Sequence, residues 1–98
     1  MDKDSYIIAA VVKAGDVLKV VANARQPMTP TEISEQIDDM GVNAAFRQCC
    51  TLESLGFLNQ IGERYELGMG LALFWAKKKA TLLGQQQDID KAIQLLNV

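Results

Sequence analysis

The apolar positions of this chain fall into two periods, a helical one of three and four residues and a strand-like one of two. From Ser5 onward Ile7, Val11, Ala14, Leu18 and Val21 form the stripe of a helix ending near Asn23 to Arg25, with Ser5 as its expected N-cap. Ile8, Val12 and Val20 widen that stripe and leave Lys13, Asp16 and Lys19 as the wet side, so the helix is expected to be covered on two sides. Thr29-Pro30-Thr31-Glu32 then reads as a capping box, with Thr29 at the N-cap, Pro30 in the first helical position and Glu32 reaching back to the cap N–H. Met28 and Ile33 occupy the two positions of a hydrophobic staple. This second helix is expected from Pro30 to about Ile37 or Asp38, because Asp38 and Asp39 put negative charge at its unfavourable end and Gly41 supplies a turn.

A third helix follows from about Asn43, its natural cap, to Ser54, with Ala45, Cys49 and Leu52 as its inner stripe and Gly56 as its stop. The period then changes to two. Phe57 to Ile61 and Arg64 to Leu67, joined by Gly62-Glu63, read as a hairpin with a type II′ turn. Leu71 to Leu83 predicts a fourth helix closed by Gly84, the glutamines 85–87 a link, and Asp88 or Asp90 the opening of a last amphipathic helix. The expected division is therefore 1–84 for the main domain and 85–98 for a C-terminal helix that packs or dimerises.

Length and composition narrow the chemistry. At 98 residues, 49% hydrophobic and 22% charged, the chain makes one folding unit of ordinary globular composition. There is no histidine, which removes the commonest general base and zinc ligand, and Cys49 and Cys50 are neighbours with no other soft ligand. No enzyme, metal or cofactor is expected. Cys49, on the inner stripe, is expected to act as a buried small hydrophobe. The apolar run Tyr6–Val12 follows Asp2 and Asp4 and is too short for a membrane span, so a cytoplasmic protein without a membrane partner is expected. The net charge of −2 opposes an anionic partner such as DNA, yet it divides unevenly. Residues 1–41 carry −3, residues 42–84 carry +2, and the last fourteen carry −1.

The order helix, short capped helix, turn, helix, hairpin, helix is that of a winged helix-turn-helix, mainly α with a small β-hairpin and one or two extra C-terminal helices. Asp16-Val17-Leu18, Met28-Thr29-Pro30-Thr31-Glu32-Ile33, Arg47, Thr51-Leu52-Glu53-Ser54-Leu55-Gly56-Phe57-Leu58 and Arg64-Tyr65-Glu66-Leu67-Gly68 carry a more specific likeness. From about Asp16 to Gly70 the chain resembles the N-terminal DNA-binding domain of the IclR family of bacterial transcription regulators. The resemblance implies a sequence-specific regulator bound to double-stranded DNA. The family's C-terminal effector domain has no counterpart in this sequence, so no small-molecule effector is expected. A further departure lies at the third helix, where the family's Leu-Pro-Lys-Ser-Thr-Val-like run is replaced by Met40-Gly41-Val42-Asn43-Ala44-Ala45-Phe46.

The expected DNA face comprises Thr31 at the entrance to the second helix, Asn43, Ala44, Arg47, Gln48 and Thr51 on the third, and Arg64 past the hairpin turn. Arg64 meets either phosphate or a glutamate of its own hairpin, Glu63 or Glu66. Lys77, Lys78 and Lys79 splay around a helix and are expected to be solvated. Phe74, Trp75, Leu82 and Leu83, with Ile89, Ile93, Leu96 and Val98, exceed what so small a core needs. They form either a homodimer interface, together with the first helix, or an internal packing layer on it. The alternative to DNA binding is a winged helix serving as a protein-interaction or assembly module.

Overall fold

The computed structural model describes residues 2–97. A 3₁₀ turn at Lys3–Tyr6 leads into α1 (Ala9–Asn23), α2 (Pro30–Glu35), α3 (Val42–Ser54), β1 (Leu58–Ile61), β2 (Arg64–Leu67) and α4 (Met69–Leu96). This is a mainly helical winged helix-turn-helix with one antiparallel hairpin, the class and element order predicted by the periodicity.

Local chemistry accounts for most boundaries and for the places where they shift. Ser5 does not cap the first helix, because its Oγ donates to the Asp2 carbonyl at 2.7 Å within the 3₁₀ turn and α1 begins only at Ala9. At α2 the Thr29 Oγ1 accepts the Glu32 N–H at 3.2 Å, Pro30 follows, and the staple residues Met28 and Ile33 are both buried. The reciprocal half of the box is not formed, since the Glu32 carboxylate turns to Arg64. α2 ends at Glu35, short of Ile37. The left-handed residue of the following turn is Asp39 at φ 59, while Gly41 at φ −78 becomes the N-cap of α3. Asn43 therefore lies inside the first turn of α3 and is not its cap. At the other end the Phe57 N–H reaches the Leu52 carbonyl and the Gly56 N–H the Glu53 carbonyl, both at 2.9 Å, with Gly56 at φ 80. That is a Schellman closure, which a residue with a side chain would strain.

The core is one cluster. Val17 and Val21 of α1, Ile33 of α2, the stripe Ala45, Cys49 and Leu52 of α3, Leu58 and Tyr65 of the hairpin, and Met28 and Met40 from the connections meet there. Cys49 is fully buried, and burial, with the Cys50 thiol beside it, pushes its own thiol up to about 11. It packs as a neutral small side chain, as the sequence predicts. The hairpin register pairs Leu58 with Leu67 and Ile61 with Arg64, leaving Gly62-Glu63 as the loop, with Gly62 at φ 60 as a type II′ turn requires. A feature not read from the sequence joins it: Met28 and Tyr65 exchange backbone hydrogen bonds at 2.9 and 2.7 Å, tying the approach to α2 onto β2.

The largest difference lies in the last third. The expected break at Gly84 and the glutamine link are absent: Met69–Leu96 is a single helix of 28 residues. Glutamine is a good helix former and one internal glycine costs about 1 kcal/mol, too little to end a helix with no proline in it. α4 leaves the body through Gly68 and Gly70, whose N–H groups donate to the Phe57 and Gly56 carbonyls at 2.8 and 2.9 Å. Phe74 adds an edge-on contact to Phe57 with ring centres 5.6 Å apart. Beyond that anchorage none of its described residues is buried. The C-terminal segment thus does not form an internal layer on α1, and Val98 lies outside the described residues. The radius of gyration of 19.1 Å exceeds the roughly 13 Å of a compact chain of this length. The surface of 7656 Å² likewise exceeds the roughly 5,500 Å² of a compact protein of this mass. α1 shows the same imbalance at its start: Ile8 and Val11 are exposed, and only its C-terminal half is covered.

Candidate nucleic-acid interface

The inward stripe of α3 determines its outward face. With Ala45, Cys49 and Leu52 turned to the core, the 100° step of a helix places Asn43, Arg47, Cys50 and Ser54 on the opposite side, and all four are exposed. The expected polar stripe is therefore divided. Asn43 and Arg47 project outward. Gln48 is half-buried and its Nε2 donates to the Ala10 carbonyl at 3.5 Å, while Thr51 Oγ1 donates to the Arg47 carbonyl at 2.8 Å. Ala44, Gln48 and Thr51 line a groove against Val11 and Leu18 of α1, into which the flank of Arg47 also reaches. A second cleft, between α2, α3 and the hairpin, brings together Thr31, Asn43, Phe46, Gln60 and Glu63.

Arg64 does not pair with either glutamate of its hairpin. Its Nη1 donates to the Pro27 carbonyl at 3.0 Å and lies 3.1 Å from the Glu32 carboxylate, clamping the base of the hairpin to the entrance of α2. Glu66 instead accepts from Asn59 Nδ2 at 3.2 Å. With 49% of the Arg64 side chain exposed, the pair contributes at most about 1 kcal/mol and leaves the guanidinium at the surface. Behind it Tyr65 is buried, and burial first, then the neighbouring Cys50 thiol, pushes its phenol up to about 12.

Charge around this face is lower than the division by segment suggests. Three of the positive charges in residues 42–84, Lys77, Lys78 and Lys79, stand on α4 beyond the hairpin. Over residues 42–68 two basic side chains, Arg47 and Arg64, face three acidic ones, Glu53, Glu63 and Glu66, for a net of −1. The Arg64–Glu32 pair has no short-range sequence signal, since its members stand 32 residues apart. The outward placement of Cys50 could have been read from the stripe through Cys49.

The IclR helix-turn-helix domain family matches residues 10–62, more than half of the chain, from the second residue of α1 to the first residue of the hairpin turn. The chain belongs to this family. An IclR family transcriptional regulator from Brucella abortus shares the fold of this IclR-type domain with a TM-score of 0.64 at 24% identity, over 79% of this chain and 30% of that one. The Agobacterium tumefaciens repressor BlcR gives 0.61 at 20% identity with the same coverage. The activation domain of the phage T4 transcription factor MotA gives 0.55 at 23% identity and covers 91% of this chain and 97% of that one. No curated protein matches. The IclR-type chain thus spans about 30% of the length of the two bacterial regulators, and at these identities the likeness is one of fold.

Proposed function

We propose that this IclR-type domain is a DNA-binding transcription regulator that acts as a homodimer, with α3 in the major groove and the hairpin against the backbone. The observation that carries the reading is the outward face of α3, where Asn43 and Arg47 stand exposed beside the hairpin within an IclR helix-turn-helix. Asparagine and arginine pair bidentately with adenine and guanine edges. In this reading Thr31, in the cleft with Asn43, and the half-exposed guanidinium of Arg64 meet the DNA backbone, and Ala44, Gln48 and Thr51 form the α1-side margin. Such a role belongs in the compartment that holds the DNA, the cytoplasm, and no described helix is long and apolar enough to cross a membrane.

Dimerisation is supported by α4. Ala72, Trp75, Lys79 and Leu82, continued by Gln86, Ile89, Ile93 and Leu96, alternate spacings of three and four, the seam of a two-stranded coiled coil. Trp75, Leu82, Ile89, Ile93 and Leu96 are 45–86% exposed in the single chain. Phe74 lies off this seam on Phe57 and fixes the direction in which α4 leaves the body. Lys79 and Gln86 at inner positions cost stability and favour two strands over larger bundles. Two copies also double the few phosphate contacts that one copy can make. Retention of random duplex DNA that weakens as salt rises tests the reading, and indifference to duplex at low salt overturns it.

A second reading, a winged helix that docks a protein partner, is favoured by the net charge of −1 over residues 42–68, which span α3 and the hairpin. The MotA activation domain, matched over 91% of this chain and 97% of that one, suits the same reading. Under it, duplex DNA is ignored at every salt concentration.

A further inference from the structure

Phe46 is the largest side chain on α3 and the core does not use it. It is 51% exposed, and Val42, one turn before it, is 44% exposed, both in the N-terminal half of the helix. The two share one cleft with Asn43, Thr31 and Gln60. In a recognition helix the N-terminal residues are those that reach base edges. Apolar side chains there have one distinctive target in the major groove, the 5-methyl group of thymine. Asn43, between Val42 and Phe46 along the helix, is suited to the N6 and N7 edge of adenine. Residues 42–68 supply only two cations, Arg47 and Arg64, to hold a duplex, so contacts to bases must supply a larger share of the affinity.

We propose that Phe46, with Val42, forms an apolar reader of thymine methyl groups and makes this helix specific for an A·T-containing step beside the contact of Asn43. The inference rests on the DNA-binding reading. Phe46 covers the methyl with the exposed half of its ring, while Val42 closes the pocket on the side of the α2 entrance. The hydrocarbon of the base then leaves water without any charge being placed on the protein.

The test is a selection of bound sequences from a random duplex pool at low salt. Titration of the selected duplex follows, with each thymine replaced in turn by deoxyuridine, which lacks only the methyl. Removing one buried methyl is worth about fourfold in affinity per half-site. The expected result is one thymine position per half-site at which wild-type protein loses about that factor and Phe46→Ala does not, while Phe46→Leu retains the preference. Circular dichroism checks that both variants fold. A selected duplex that binds equally well with uracil at every position overturns the proposal while leaving DNA binding standing, as does an equal loss for wild type and Phe46→Ala. Duplex that is retained at low salt without any enrichment overturns this inference alone, whereas no retained duplex at all overturns the DNA reading and this inference with it.

Discussion

Gly84 offers a test in which the sign of one small energy distinguishes two structures. If the helix ended there, Gly84 would occupy the left-handed closing position, and an alanine would be strained by about 1 kcal/mol. In the continuous helix observed here Gly84 is an interior residue, and a Cβ built on it meets nothing within 4 Å. Alanine is then favoured over glycine by about 1 kcal/mol through helix propensity alone. The two structures differ by about 2 kcal/mol in the effect of Gly84→Ala. Thermal unfolding followed at 222 nm reads it: the midpoint should rise by about 4–8 °C per kcal/mol for a domain of this size, with no loss of helicity. A lower midpoint or a weaker helical signal would refute a single α4. Gly68→Ala is the contrasting case, because its Cβ would run into the Gly56 carbonyl oxygen where α4 leaves the hairpin. It should cost about 1–3 kcal/mol as the backbone is forced apart.

Further outcomes follow from the same structure. Arg47→Ala should weaken duplex binding by about 1–3 kcal/mol and relax specificity at one base pair, read by titration against point-varied duplexes; unchanged affinity removes Arg47 from the interface. Trp75→Asp or Leu82→Asp should convert a dimer to a monomer by light scattering while leaving the far-ultraviolet signal of the winged helix in place; a monomeric wild type refutes the α4 seam. At high pH, Cys49 and Tyr65 hold their protons to about 11 and 12, against ordinary values of 9.0 and 10.0, so the folded state binds protons more tightly than the unfolded one. Their contribution to stability is complete below pH 9 and is lost as the pH rises through 11 and 12. Melting midpoints that fail to fall across that range would contradict the burial of both groups.

The sequence was most legible where a signal is local. The Thr29 cap and Pro30 of α2, the stripe of α3 and the two-residue hairpin loop each depend on neighbours within a few positions and stand as predicted, whereas the Glu32 half of the capping box is lost to a partner distant in sequence. Ser5 and Asn43 misled for a local reason as well, since a short polar residue suits a helix cap and a turn equally and only the backbone decides. The break at Gly84 was expected from a glycine beside polar residues, but one internal glycine costs only about 1 kcal/mol and no proline stands in α4 to block it, so the helix continues. The interface was legible in outline only. Family-like motifs located α3 and the hairpin, whereas the Arg64–Glu32 clamp, the Met28–Tyr65 bridge and the turning of Gln48 toward α1 depend on pairings distant in sequence. The balance of charge changed for a geometric reason, because three lysines counted with α3 and the hairpin stand on α4.

The proposed role is tested most directly by the salt dependence of duplex binding. With so few cations beside α3, a dimer should neutralise only about two to four phosphates, so affinity for duplex DNA should fall roughly tenfold to a hundredfold between 50 and 200 mM salt. A measurable complex at 50 mM that weakens on that scale is the expected result. Absence of any complex at 50 mM, or an affinity that does not change with salt, would contradict DNA binding by this domain.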